Sequence, residues 1–269
     1  MTKLVAGAAL AVTLVSLAGP AAADRPSPAE KAVHAIAGAM KTGDCASAAE
    51  LLNDGIARKY PEVYLVAGSM FENGVCLKRD WSRAKRLYIM AYDGGQRAAG
   101  YRLAAGFAAP ENGPDSSSAL WWANREKHFG FKNCAVSAEV NNDPERFRAE
   151  LRTWTQARLE ACNYLVGVMT TMGGEFRYPL KATRYRREGA FVLRFEPAVP
   201  RFAIRTAEAS EFEPLGVLDG SEPVALKNDR GGFANELRQT AERALKRYPQ
   251  PPDIPADWYG DFQFNFYIP

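Results

Sequence analysis

The side chains able to do chemistry are few and scattered. Cys45, Cys76, Cys134 and Cys162 are the four cysteines of the 269 residues, and His34 and His128 are the two histidines. Acyl-transfer catalysis needs a base within reach of a nucleophile and a third group to orient that base, and a zinc site needs several His or Cys at matched spacing. Neither arrangement can be assembled from two isolated histidines, which read as surface or helix-end residues. Ser82-Arg83-Ala84-Lys85 spells Ser-x-x-Lys, a spacing in which a lysine one turn away can draw off a serine proton. Ala84 falls on a recurring packing position, however, so Ser82 and Lys85 are expected on the solvated face. Gly173-Gly174 and Gly231-Gly232 are isolated pairs at helix ends and form no phosphate-cradling loop. No nucleotide, metal or other cofactor is expected, and the chain reads as a binding protein, not an enzyme.

The overall charge points away from nucleic acid. Lys and Arg number 34 against 31 Asp and Glu, a net +3, and removal of Lys3 with a leader would leave +2. Proteins that neutralise phosphate backbones carry a larger basic excess. One local cluster stands out: Arg177, Lys181, Arg184, Arg186 and Arg187 alternate with Tyr178 and Tyr185. In a cell envelope such a cluster would meet lipopolysaccharide, peptidoglycan acids or an acidic protein face, so Arg184, Arg186 and Arg187 are candidate partner-binding residues, against the plain alternative of a solvated surface.

The envelope is the expected compartment. Lys3, the apolar run Leu4 to Leu17 and the small residues Pro20-Ala21-Ala22-Ala23 form an export signal with cleavage predicted after Ala23. The run is shorter than the roughly 20 residues that cross a bilayer, and no later segment approaches that length, so no integral membrane segment should remain. Four cysteines in an oxidising compartment pair into two bridges and leave no thiol for chemistry.

The elements that must position any binding residues follow from periodicity. After a leader helix at 24–43, Asp44, Ala48 and Leu51 recur as Asp80, Ala84 and Leu87 and again as Asp115, Ala119 and Trp122, while Val63, Ala67 and Phe71 recur as Ala99, Leu103 and Phe107. Each Asp is a helix N-cap, the small Ala residues let helices approach, and the larger residues fill the space between layers. These residues, with Asn73-Gly74-Val75, Leu87-Tyr88 and Ala91, resemble the Sel1-like repeat, which implies a short α-helical solenoid over 44–130 used as a protein-interaction scaffold. The second copy departs from the family turn at Ala108 to Pro114. Stacking of equivalent helices brings Cys45 to the turn holding Cys76, and Cys134 with Cys162 is then the remaining pair. Among Tyr64, Trp81, Tyr88, Trp121 and Trp122, most are expected between repeats. Trp121 and Trp122 point about 100° apart on one helix, so one of them is expected to be partly exposed to a partner.

Residues 131–174 read as a disulfide-tied helical connector: Asp143-Pro144 opens a helix that runs through Ala161 towards Met172 and stops at Gly173-Gly174. Composition then changes. Gly189 to Glu196 and Arg201 to Thr206 alternate as strands, Phe233 to Arg247 is an amphipathic helix with Leu237, Ala241, Ala244, Leu245 and Tyr248 on one side, and Phe262, Phe264 and Phe266 alternate again. With Tyr178-Pro179 and the Tyr248 to Pro252 bend, residues 175–269 resemble the TonB C-terminal domain. The longer link 208–230, the missing anchor and the missing Pro-rich spacer depart from that family. The expected class is α+β multidomain, a helical solenoid followed by a small domain with a short antiparallel sheet. The last strand should lie at or near the sheet edge, its phenylalanines facing the Phe233 to Arg247 helix and Gln263, Asn265 and Tyr267 facing outward, where a partner strand could add. The function expected is a periplasmic adaptor for a protein or peptide partner. An energy-transducer relative that contacts outer-membrane receptors is the second reading and a cell-wall hydrolase the third.

Overall fold

The structure is a computed structural model that describes residues 26–126, 129–131, 133–137, 139–177, 189–207 and 233–266. The export segment, His128, Tyr178, Lys181, Arg184, Tyr185, Arg186, Arg187, the 208–230 link and Tyr267 lie outside them.

Helices come in antiparallel pairs: α1 (Pro28–Thr42) with α2 (Cys45–Ala57), α3 (Pro61–Asn73) with α4 (Trp81–Asp93), and α5 (Ala98–Ala108) with α6 (Ser116–Asn124). The repeated aspartates act as foreseen. The Oδ1 atoms of Asp44, Asp80 and Asp115 accept from Ser47, Arg83 and Ser118 N–H at 3.0, 2.9 and 3.0 Å, a cap worth about 1 kcal/mol each. Ala48, Ala84 and Ala119 are fully buried. Although the turns differ, both close alike: Asp80 N–H donates to the Phe71 carbonyl at 2.9 Å, and Asp115 N–H to the Phe107 carbonyl at 2.8 Å. The departing turn at 108–114 therefore returns the chain to the same place, through a 3-10 turn at Pro110–Asn112.

Helix α1 packs on α3 and α3 touches α5, while α8 (Gln156–Glu175) packs against α5 and α6. The inner layer is thus α1, α3, α5 and α8, with α2, α4 and α6 outside. The single helix expected from Asp143 is two, α7 (Pro144–Leu151) and α8. The break carries its own cap, Thr155 Oγ1 accepting from Arg158 N–H at 3.2 Å. Gly173-Gly174 does not stop α8, because both glycines lie inside it. A Cβ on Gly173 would stand 3.1 Å from the Phe129 and Phe262 rings, so glycine there lets the sheet sit close.

That sheet has the order β1 (Phe129–Phe131), β4 (Gly260–Phe266), β2 (Gly189–Glu196), β3 (Arg201–Ala207), antiparallel throughout. Phe262 and Phe264 are buried and alternate with exposed Gln263 and Asn265, as the two-residue period requires. One expectation changes. The phenylalanine face lies on α8, shown by Gly173 beneath Phe262 and by Phe176 against Phe264 with ring centroids 5.0 Å apart; the helix α9 (Phe233–Arg247) packs on another side of α8. The last strand lies near the sheet edge, as expected: β4 is second in the order, and the short edge strand β1 pairs with its first residues only, Phe129 with Phe262 and Phe131 with Gly260.

Two buried clusters meet at α5. One joins Ile36 to Leu103, and the other runs from Ala104 through α6, α7 and α8 to the sheet and α9. Helix α6 therefore shares a buried cluster with the C-terminal strands. Both predicted bridges form, Cys45 to Cys76 with Cα atoms 4.9 Å apart and Cys134 to Cys162 at 5.5 Å. Among the described residues no helix is long and apolar enough to cross a membrane.

Candidate functional site

The inner layer is where charge collects inside an otherwise apolar array. Helix α3 reads Tyr64 to Phe71 almost without charge and then places Glu72 facing inward, with its residue only 3% exposed. Tyr88 from α4 donates its hydroxyl to Glu72 Oε2 at 2.7 Å, and Arg247 of α9 donates Nη2–H to Glu72 Oε1 at 2.8 Å. Arg102, a single cation in the apolar α5, stands 3.9 Å from Glu72 and donates to Glu175 Oε1 at 3.0 Å. Arg243 reaches the other oxygen of Glu175 at 3.4 Å, and Arg247 Nε–H reaches Glu111 at 2.9 Å. Three arginines and three glutamates from five parts of the chain thus neutralise one another.

Burial decides how these groups titrate. Burial and then the charge of Glu72 hold the Tyr88 hydroxyl well above the ordinary tyrosine range. Burial works against the charge of Arg102, but Tyr88, Glu72 and Glu175 outweigh it and keep its pKa raised. Arg247 follows the same pattern with Tyr248, Glu72 and Glu111. Neither arginine releases a proton near neutrality, so both keep the positive charge that makes the network an electrostatic clamp.

The clamp seats α9 across the inner face. Tyr248 at its end is buried; its hydroxyl donates to the Ala105 carbonyl at 2.8 Å and, with that proton used, accepts from Thr171 at 3.0 Å. Gly167 of α8 makes room, because a Cβ there would lie 2.6 Å from the Tyr248 ring. The apolar side expected of this helix is present: Leu237, Ala241 and Ala244 are buried with Tyr248, and Leu245 is half-buried.

Between α9 and the first repeats the inner face stays open. A cleft of about 330 Å³ lies directly over the clamp, lined by Glu72, Arg79, Glu111, Glu175, Arg243 and Arg247. It adjoins a wider groove of about 1000 Å³ walled by α1, α3 and α9, to which Met40, Val66 and Val75 bring apolar surface. Asn73, Glu175 and Arg243 line both, so the two are continuous. Val75 is 42% exposed, among the few large apolar residues so open to water.

The residues singled out from the sequence fall elsewhere. Trp121 packs edge-on to Phe147 with centroids 5.2 Å apart beneath the Arg125 guanidinium, and Trp122 meets Tyr92 at 5.0 Å. Both are half-buried and used within the molecule. Gln263 and Asn265 are exposed on the outer sheet face, joined by a 3.2 Å hydrogen bond. On the side of β4 away from β2, β1 pairs with residues 260–262, a stretch that does not include Gln263 or Asn265. Ser82 is exposed while Lys85 lies over the Phe107 ring, 5.4 Å from its centroid, so no Ser-Lys pair forms. Among the described residues no group of three or more His, Cys, Asp or Glu could hold a metal ion. The residues missed, Glu72, Arg102, Arg243 and Arg247, carried one usable signal: Arg102 is the lone charge of α5 and Glu72 follows the uncharged run Val63 to Phe71, and a charge on so apolar a stretch must find a partner if it is buried.

No family model, curated protein or solved structure matches the chain.

Proposed function

We propose that this protein is an exported adaptor of the cell envelope that holds a protein partner in the groove on the inner face of its helical array. The observation that carries this reading is the open groove between α1, α3 and α9, which combines aliphatic floor residues with charged walls. Binding sites on proteins are concave, mostly apolar and edged by a few placed polar groups. The clamp supports it by fixing α9 as a wall. Two disulfides and the export-like leader fit a chain that works outside the cytoplasm. The Sel1-like resemblance of the repeats implies the same use, and the TonB-like resemblance of the C-terminal residues is carried here as a scaffold, its sheet packed on α8 beside the groove.

A groove-filling pair tests it. Ala37→Trp with Ser69→Trp narrows the groove, and Met90→Trp on α4 serves as a control because Met90 is exposed elsewhere. Crosslinked co-isolation from the source cell should recover one partner with the wild type and with Met90→Trp and lose it with the pair. Equal recovery from all three would overturn the groove as the binding surface.

A further inference from the structure

Resting on that reading, we propose that the groove takes an extended protein segment in which acidic residues alternate with aliphatic ones. The charges of its lining carry the inference. Lys41, Arg102, Arg177 and Arg243 face it against Glu175 and Glu236. Glu175 is already held by Arg102 and Arg243, and Glu236 takes a long hydrogen bond from Thr240 at 3.5 Å. Lys41 and Arg177 form no ion pair with any described residue, and Arg177 is exposed. Among the described residues the groove therefore offers two unpaired cations against one unpaired carboxylate, Glu236, beside a neutralised clamp; its lining is net positive, and an occupant with carboxylates would complement it.

Helix ends do not reverse this sign. The carboxyl ends of α1 and α3 approach the groove, but Asp44 N–H already donates to the Ala39 carbonyl at 2.9 Å and Val75 N–H to the Met70 carbonyl at 3.0 Å. Their partial negative charge is largely satisfied, so full side-chain charges dominate. The floor adds a second demand. Met40, Val66 and Val75 leave apolar surface that a purely anionic polymer would not cover, and the flexible Met40 side chain adapts to aliphatic side chains of varied shape. A groove that is open to solvent and runs on into the cleft over the clamp suits a chain laid along it better than an enclosed small molecule.

The test is a selection from a random-peptide phage library on the immobilised, disulfide-intact protein, followed by fluorescence anisotropy of the recovered peptides. Recovered peptides should be enriched in Asp or Glu flanked by Leu, Ile or Val. Their affinity should fall about tenfold for Lys41→Glu with Arg177→Glu, as expected for the loss and reversal of two exposed charge contacts, and less for Lys41→Met with Arg177→Met. Both pairs alter exposed or rim side chains, and circular dichroism checks that they fold. Peptides without acidic enrichment, or affinities unmoved by the charge reversal, would overturn the proposal, as would polyglutamate binding as tightly as the selected peptides. If Ala37→Trp with Ser69→Trp abolishes partner recovery while charge reversal changes nothing, the acidic occupant is wrong and the adaptor reading stands; if the tryptophan pair retains the partner, the adaptor reading itself falls.

Discussion

Replacing Arg247 by Met should destabilise the protein by about 3 kcal/mol, because it strands a buried carboxylate. The Glu72 side chain is 1% exposed and that of Arg247 is 16% exposed, with 2.8 Å between them. Two unit charges about 4 Å apart attract by about 4 kcal/mol at an effective dielectric of 20, and deleting one partner of such a pair typically costs about 3–5 kcal/mol. Arg102 at 3.9 Å and the Tyr88 hydroxyl continue to support Glu72, which places the loss at the lower end of that range. The lost contact to half-exposed Glu111 adds well under 1 kcal/mol. Glu72→Gln keeps an acceptor for Tyr88 and leaves Arg247 with Glu111, so about 1–2 kcal/mol is expected there. In the double variant no charge is stranded, and the two effects should fall short of additivity by about 2 kcal/mol. Urea unfolding followed by tryptophan fluorescence measures this; with a slope of about 2–3 kcal/mol/M the Arg247→Met midpoint should drop by about 1 M. A coupling below about 0.5 kcal/mol would refute the clamp as the device that holds α9 on the inner face.

Glu126 gives a pH test: its residue is 4% exposed, Oε1 has no hydrogen-bond partner, and burial pushes its pKa up. A carboxyl whose folded pKa is raised loses stability as pH rises from the unfolded value through the folded one, so Glu126→Gln should be more stable than wild type at pH 7 and converge with it near pH 4 in pH-dependent thermal unfolding. Phe264→Ala should cost about 3–5 kcal/mol by urea unfolding, since the buried ring leaves a cavity against Phe176 and Phe262. Replacing Cys134 and Cys162 together by Ala should cost about 3.5 kcal/mol, the chain-entropy value for a sequence separation of 28, measurable in the same assay.

What the sequence made legible follows from local rules. Three aspartates at a spacing near 36 residues announce their helices because an N-cap is a contact within four residues, and the same recurrence puts Cys45 at the start of one such helix and Cys76 in the turn before the next, the pair that bridges. Alternation in β4 was equally plain, since period two sorts Phe262 and Phe264 from Gln263 and Asn265 without reference to any partner. Long-range choices were not legible. Phe129-Gly130-Phe131 is too short to read as a strand, yet it takes the edge of β4. Whether the Phe face met α8 or α9 depended on Gly173 admitting the rings, and the glycine pair read as a stop because local propensity says nothing of the neighbour above it. The candidate site was the least visible part. Glu72 and Arg247 are 175 residues apart, and only the folded inner layer pairs them.

The central claim, that the inner groove is the binding surface, is tested most directly by site-specific photo-crosslinking in the source cell, with a benzophenone amino acid placed in turn at Ala37, Ser69 and Val75 in the groove and at Ser82, Arg86 and Met90 on α4. The groove positions should yield one common crosslinked protein whose attachment maps to an acidic, aliphatic segment, and the α4 positions should yield none. Crosslinks to that partner from α4 alone, or equally from both sets, would contradict the account.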